Sequence, residues 1–105
     1  MSGKLIIIKT TGEVEIREKD KPPPLAELQQ VVGGYIEMIP RFTSYAGEPC
    51  VAYGDEEGKN KHKDRNPHAT NLWVQALGAD SILLRDWLVG DIAIVTGDPA
   101  FMRRL

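Results

Sequence analysis

Hydrophobic and polar positions near the start of the chain predict a β-hairpin. Leu5–Ile8 is a continuous run of apolar, mostly β-branched residues, and Gly12 provides a turn signal shortly after it. Beyond the turn, Val14 and Ile16 alternate with charged residues. This pattern predicts two strands between residues 4 and 17, the first buried on both faces and the second on one face.

The next segment predicts a short helix and a third strand. Apolar residues spaced three and four apart predict a helix over Leu25–Val32, which ends at Gly33 and Gly34. We interpret the glycine pair as a helix cap, with close approach of the bare backbone to a ligand as the alternative. Tyr35–Ile39 has the composition of a strand, whereas Arg41–Pro49 has no clear period and is expected to be a loop.

The clearest periodicity in the chain predicts a second helix. Apolar residues recur at i, i+3, i+4, i+7 and i+8 from Ala69 to Leu77, and Gly78 follows as a stop signal. Asn66 is suited to cap the first turn, and Pro67 fits the first helical position, where a missing N–H costs nothing. The helix is therefore expected to begin at Asn66-Pro67.

The remaining segments complete the predicted fold. Short strands are expected at Cys50–Tyr53 and Ile92–Val95, with a turn at Gly54–Gly58. Ile82–Trp87 fits either a short strand or a helical turn, and Ala100–Leu105 fits one weak helical turn. Together these elements predict a single α+β domain of 105 residues, with a mostly antiparallel sheet of about five strands and two helices on one face.

Composition narrows the classes of function. The net charge of −2 and the pI of about 5.6 argue against general nucleic-acid binding, which usually needs a basic domain. The longest apolar runs are far too short to span a bilayer, so no membrane partner is expected. No cleavable signal pattern follows Met1, and the single cysteine, Cys50, leaves no internal disulfide. Both features predict a cytoplasmic protein.

The candidate chemistry lies where a basic run meets a helix start. Four cations alternate along residues 59–65, directly before the predicted second helix. An extended segment would place all four on one side, next to a helix N-terminus that favours anions. The residues expected to bind a ligand are Lys59, Lys61, Lys63, Arg65, Asn66, His68, Thr70 and Tyr45, the last as a stacking ring from the predicted loop. A charged, solvated hairpin arm is the alternative.

Other chemistries find little support in the sequence. No phosphate-binding loop motif is present, and Cys50 has no base beside it in sequence, so we expect it to be a buried structural thiol. His62 and His68 share no helix face and lack further cysteine or histidine ligands, so no metal is expected. We expect no catalytic residues and no cofactor. Binding is therefore favoured over catalysis, and an enzyme stays as an alternative.

Four short motifs suggest a relationship. They are Val32–Glu37, Tyr53–Lys59, Asn66–Thr70 and Leu88–Ile92. Their order and spacing resemble a small bacteriophage and mobile-element family catalogued as domain of unknown function 3846, over most of the chain. The resemblance implies a phage-type genetic setting and a counter-defence role of the kind that small phage proteins often have. It implies no established activity and no catalytic residues.

Three hypotheses follow. The first is a non-enzymatic phage-type accessory protein that sequesters a phosphorylated small molecule, such as a nucleotide-derived signal, in a pocket shared between subunits of a homo-oligomer. The second is a protein-interaction module that inhibits a host protein through a charged face. The third is an enzyme that acts on nucleotides. In each case the protein is expected to act in the host cytoplasm if it is phage-encoded.

Overall fold

The computed structural model describes residues 2–83 and 85–105. The elements are β1 (Gly3–Ile8), β2 (Val14–Lys19), α1 (Leu25–Val32), β3 (Ile36–Met38), β4 (Ser44–Tyr45), β5 (Glu48–Asp55), α2 (Pro67–Leu77), a 3-10 helix (Gly78–Leu83), β6 (Ile92–Gly97) and α3 (Pro99–Met102). Within the described residues, six strands pair antiparallel in the order β2-β1-β6-β5-β3, and β4 pairs with β5 beside this path. The predicted α+β class and mostly antiparallel sheet are confirmed.

The first strand lies inside the sheet because its side chains are apolar on both faces. Leu5, Ile6, Ile7 and Ile8 are all buried, as predicted. They alternate between two cores, so neighbouring residues of β1 face opposite sides of the sheet.

The two main helices lie on opposite faces of the sheet, which corrects the prediction that both lie on one face. Leu28 and Val32 of α1 pack in the core that contains Leu5 and Ile7. Helix α2 instead contributes Ala69 and Trp73 to the core that contains Ile6 and Ile8, and its Leu72, Ala76 and Leu77 pack against that core. An apolar stripe predicts that a helix buries one side, but it carries no information about which face of the sheet it covers.

Strand β2 is also more exposed than predicted. Its apolar residues are not covered: Ile16 is 54% exposed and Val14 is 38% exposed. These two residues pair with Ile6 and Ile8 and so share the face that α2 covers over β1. The helix does not extend over the outermost strand, so the alternating pattern marks an edge strand rather than a half-buried one.

The predicted loop at Arg41–Pro49 contains a tight hairpin. Ser44 pairs with Pro49, and the two connecting residues, Ala46 and Gly47, have φ values of 52° and 82°. Positive φ at both positions of a two-residue connection matches the twist of paired strands. Strand β5 therefore begins before the predicted Cys50–Tyr53 and runs on through Asp55.

The last third of the chain matches the prediction in part. Helix α2 begins at Pro67 and β6 covers the predicted strand at Ile92–Val95. Of the two alternatives for Ile82–Trp87, the helical turn is confirmed at the start of the segment, where the 3-10 helix ends; residues 85–87 are irregular chain, and Leu84 lies outside the described residues. The predicted turn at the C-terminus is α3, where the Asp98 carboxylate accepts a hydrogen bond from the Phe101 N–H. No helix among the described residues is long and apolar enough to cross a membrane.

Candidate functional site

The basic segment is folded into turns rather than extended. Residues 56–62 form consecutive turns, in which the Lys61 and Lys63 N–H groups donate to the carbonyls of Glu57 and Gly58. The condition under which all four cations would lie on one side, an extended segment, is therefore not met. The turns divide them into two groups that face different parts of the fold.

One group surrounds the carboxylate of Asp55. This side chain is only 2% exposed, and the ammonium groups of Lys61 and Lys63 each lie 2.8 Å from it. Its second oxygen accepts the N–H of Glu57 at 2.9 Å. Burial acts to raise the pKa of Asp55, but the hydrogen bonds from the two lysines and the backbone outweigh it and lower the pKa to about 2. Asp55 thus stays ionised.

Lys63 also holds the end of helix α1. Its ammonium donates a 2.6 Å hydrogen bond to the carbonyl of Val32, the last residue of that helix. A cation at this end complements the helix dipole and satisfies a carbonyl that has no partner within the helix. The following residue, Gly33, has φ 78° and donates its N–H to Gln29, as the predicted helix cap requires.

The second glycine of the pair makes room for this charged cluster. A Cβ added to Gly34 would lie 2.6 Å from an Asp55 oxygen and 2.7 Å from the Lys61 nitrogen. The close approach of bare backbone considered for this pair therefore involves the protein's own side chains. Lys61 and Lys63 together have a structural role, since they neutralise a buried carboxylate between β5 and α1.

Asn66 and Thr70 join helix α2 to the sheet. Asn66 is fully buried; its amide donates to the carbonyls of Ile8 and Gly90, and its oxygen accepts the Ala69 N–H at 3.0 Å. The Thr70 hydroxyl donates to the Asn66 carbonyl and accepts the N–H of Leu88 at 2.9 Å. The cap is confirmed, and the side chains of both residues are engaged within the fold.

The second group of cations lies around Trp87. The Lys59 ammonium is 4.7 Å from the centre of the indole, and the Arg65 guanidinium carbon is 4.1 Å from it. Both distances fit cation–π contacts. Lys59 also forms an ion pair with Asp86. Within residues 2–83 and 85–105, no ion pair joins Arg65 to a carboxylate.

A cleft of about 160 Å³ opens beside Trp87. Its apolar lining includes Ile39, Leu88, Ile92 and Trp73, whose indole N–H donates to a backbone carbonyl at 3.0 Å. The charged groups that line it are the carboxylates of Glu37, Asp55, Glu56 and Asp86 and the ammonium of Lys59. Asp55 is neutralised by Lys61 and Lys63, and Asp86 is paired with Lys59, so the charges of this cleft, here called the Trp87 cleft, that favour a positively charged guest are the exposed carboxylates of Glu37 and Glu56.

The other two predicted site residues lie apart from this cleft. Tyr45 is in strand β4, half-buried against the core that contains Trp73, rather than in an exposed loop. No hydrogen bond, ion pair or ring contact joins it to the four cations in the part of the chain described. His68 is exposed in the first turn of α2.

The sequence did not single out Asp55 and Asp86 as site residues. Asp55 precedes two other acidic residues, and such a run is normally solvated, whereas β5 extends far enough to bury this one. Asp86 and Trp87 lie in irregular chain without a periodic pattern, so only the tertiary structure brings them beside Lys59 and Arg65. The one signal in the sequence that could have indicated this site was the adjacency of Asp86 and Trp87.

Cys50 and the histidines provide no evidence of catalysis. Cys50 is buried, its thiol lies 3.6 Å from the carbonyl of Phe42, and burial raises its pKa to about 11. A thiol in this environment is protonated and a poor nucleophile at neutral pH. Among the described residues, no group of three or more His, Cys, Asp or Glu side chains is arranged to hold a metal ion.

The fold and the cleft define a small α+β domain with a tryptophan-lined surface cleft that carries exposed carboxylates. The chain belongs to the family described as domain of unknown function (DUF3846), whose family model matches residues 3–101. This match confirms the resemblance inferred from the four short motifs. No curated protein and no solved structure matches the chain.

Proposed function

We propose that this protein is a non-enzymatic interaction module whose Trp87 cleft receives a lysine or arginine side chain of a protein partner. The observation that carries the proposal is the pair of exposed carboxylates, Glu37 and Glu56, beside an apolar, tryptophan-lined cleft. A long cationic side chain has an apolar stem and a charged head, which matches such a lining.

The size of the cleft supports a side chain rather than a whole nucleotide. Its volume of about 160 Å³ is below the roughly 300 Å³ at which pockets for small organic ligands begin. A single buried anchor residue often dominates the affinity of a protein interface, and arginine is among the commonest anchors. A cleft of this size therefore suits one anchor of a larger contact.

The ion pair between Lys59 and Asp86 provides a way for a guest to enter. Both side chains are 49% exposed, so their attraction is screened by water and contributes little to stability. A guest cation can replace Lys59 beside Asp86 at small cost. Glu37 and Glu56, which are also exposed, would attract the guest during the encounter.

The biological setting in this proposal comes from the family resemblance. A phage-type setting makes a host protein the natural partner, and inhibition of that protein in the cytoplasm would serve counter-defence. The second hypothesis from the sequence is a module that inhibits a host protein through a charged face. The proposal assigns that face to the carboxylates of the Trp87 cleft rather than to the basic segment.

A second candidate function is the sequestration of a phosphorylated small molecule, such as a nucleotide-derived signal. The observation that favours it is Arg65, which has no carboxylate partner in the described residues and lies two positions before Pro67, the first residue of α2. Such a position favours an anion. As in the first hypothesis from the sequence, this candidate places the pocket between subunits, so it requires a homo-oligomer whose second subunit completes it.

Titration calorimetry with two ligand classes tests the proposal. We expect an arginine- and lysine-containing peptide to bind the wild-type protein, and a variant with Glu37→Gln and Glu56→Gln to bind it roughly tenfold more weakly, because two attractive charges are removed. Glu13→Gln with Glu18→Gln is the matched control, since both residues lie on the hairpin of β1 and β2 and should leave binding unchanged. Binding of nucleotides alone, abolished by Arg65→Ala, would replace the first proposal with the second.

A further inference from the structure

Strand β2 is an edge strand that extends over six residues. Within the described residues it pairs only with β1, while the opposite edge of the sheet is formed by β3, which has three residues. Long, regular edge strands offer a row of backbone donors and acceptors to another chain, and proteins usually blunt or cover them. Strand β2 contains no proline and pairs with β1 without a break in register.

The hairpin determines which backbone groups of β2 point away from the sheet. The Lys9 N–H donates to the Glu13 carbonyl at 2.9 Å, so these two residues form a hydrogen-bonded pair. Hydrogen-bonded and non-hydrogen-bonded pairs alternate along an antiparallel ladder. It follows that Val14, Ile16 and Glu18 direct their N–H and C=O groups outward, away from β1.

The two faces of β2 differ in character. Val14 and Ile16 expose apolar side chains on the face of the sheet that α2 covers farther in. On the other face, Arg17 is hydrogen-bonded to Glu15 at 2.6 Å and to Glu27 of α1 at 3.0 Å. The strand therefore carries an apolar pair on one face and alternating charges on the other.

We propose that β2 pairs antiparallel with β2 of a second copy of this chain, about a two-fold axis at Ile16. The pairing joins the two sheets into one continuous sheet. The outward-pointing N–H and C=O groups of one copy must face those of the other copy. The possible registers therefore differ from one another by steps of two residues. In the register centred on Ile16, Glu15 lies opposite Arg17 of the second copy, twice by symmetry, and the two Ile16 side chains meet on the other face.

Charge excludes the neighbouring registers. A shift of two residues one way places Glu15 opposite Glu15 of the second copy, and a shift the other way places Arg17 opposite Arg17. Like charges directly opposite destabilise a strand pair, whereas opposite charges and apolar pairs stabilise it. The charged face thus selects the pairing at Ile16, in which the other face brings the two Ile16 side chains together and places Val14 opposite Glu18 of the second copy. It does not involve the Trp87 cleft, so it stands independently of the proposed function.

Sedimentation of charge-swap variants tests the pairing. The wild-type chain should dimerise when its sedimentation is followed at concentrations up to about 1 mM. At that concentration a large fraction of the chains is dimeric even if the Kd is about 1 mM. Arg17→Glu and Glu15→Arg should each raise the dimer Kd roughly tenfold, because like charges then face each other twice. An equimolar mixture of the two variants should form a heterodimer, since every facing pair is again opposite in charge. A monomeric wild type, or variants that dimerise as the wild type does, would overturn the proposal.

Cysteine cross-linking tests the same register without altering the charges. In Ile16→Cys the two Cα atoms would face each other about 5.5 Å apart, which suits a disulfide. In the matched control Val14→Cys, the two Cα atoms would be four residues apart along the strands, about 13 Å. We expect mild oxidation to cross-link Ile16→Cys alone, with the buried Cys50 common to both proteins. Equal cross-linking of both variants, or of neither, would overturn the register.

Discussion

The ammonium of Lys63 lies 2.8 Å from the carboxylate of Asp55, and the carboxylate is almost completely buried. This ion pair joins the turn segment that follows β5 to the end of α1, because Lys63 also donates to the carbonyl of Val32. A cation that the sequence suggested for anion binding is therefore held by a carboxylate of the same chain.

Replacing Asp55 should destabilise the protein substantially. In Asp55→Asn, two ammonium groups lose their shared counter-ion, although both can partly regain water because Lys61 is 41% exposed and Lys63 is 23% exposed. We expect a loss of about 1–3 kcal/mol in the free energy of unfolding, measured by urea denaturation. Asp64→Asn, the same substitution at an exposed position, should change it by less than about 0.5 kcal/mol. Equal effects of the two substitutions would contradict a special role for Asp55.

The same carboxylate should contribute to the acid sensitivity of the fold. Its pKa is lowered in the folded protein from 3.8 to about 2, so its stabilisation is present above the unfolded value and is lost as pH falls through the folded value. The shift corresponds to about 2 kcal/mol. The difference in unfolding free energy between wild type and Asp55→Asn should therefore shrink between about pH 4 and pH 2. Urea melts at several pH values measure it, and a constant difference down to pH 2 would argue against the lowered pKa.

Asn66 should be among the most sensitive polar positions in the chain. Asn66→Ala removes two hydrogen bonds to buried carbonyls and the cap of helix α2. We expect a loss of about 2–4 kcal/mol in the free energy of unfolding, since the carbonyls of Ile8 and Gly90 are left without this donor. Asn60→Ala, at an exposed turn position, is the control and should be nearly neutral. Thermal and urea melts of both variants provide the comparison.

The thiol of Cys50 should be unreactive in the folded protein. Burial raises its pKa to about 11, so little thiolate is present at neutral pH. We expect an aromatic disulfide reagent at pH 8 to react slowly with the native protein and rapidly with the urea-unfolded chain. Fast, stoichiometric reaction of the native protein would show that the thiol is accessible and would reopen the question of a catalytic role.

Local patterns predicted the elements well, but not how they are arranged around the sheet. The buried strand Leu5–Ile8 and the helix Leu25–Val32 follow from periodicity, which depends only on nearby residues. The assignment of α1 and α2 to opposite faces depends on long-range packing, which a stripe does not encode. The hairpin at Ala46-Gly47 was missed because it lacks the usual Asn-Gly or Asp-Gly signal.

The candidate site was predictable only in part, for a related reason. A run of cations before a helix cap indicates positive charge, but the sequence does not show which carboxylates neutralise it. Asp55 binds lysines six and eight residues farther along because the intervening chain turns back on itself. The pairing of Lys59 with Asp86 spans 27 residues and depends on the tertiary fold.

The most direct test of the Trp87 cleft is a two-dimensional NMR titration that follows the indole N–H signals of the chain's two tryptophans. Trp87 is 38% exposed, whereas Trp73, which also lines the cleft, is buried. We predict that an arginine- and lysine-containing peptide shifts the Trp87 signal saturably, and that ATP leaves it unchanged. A saturable shift with ATP and none with the peptide would contradict the proposed preference of the cleft for a cationic guest.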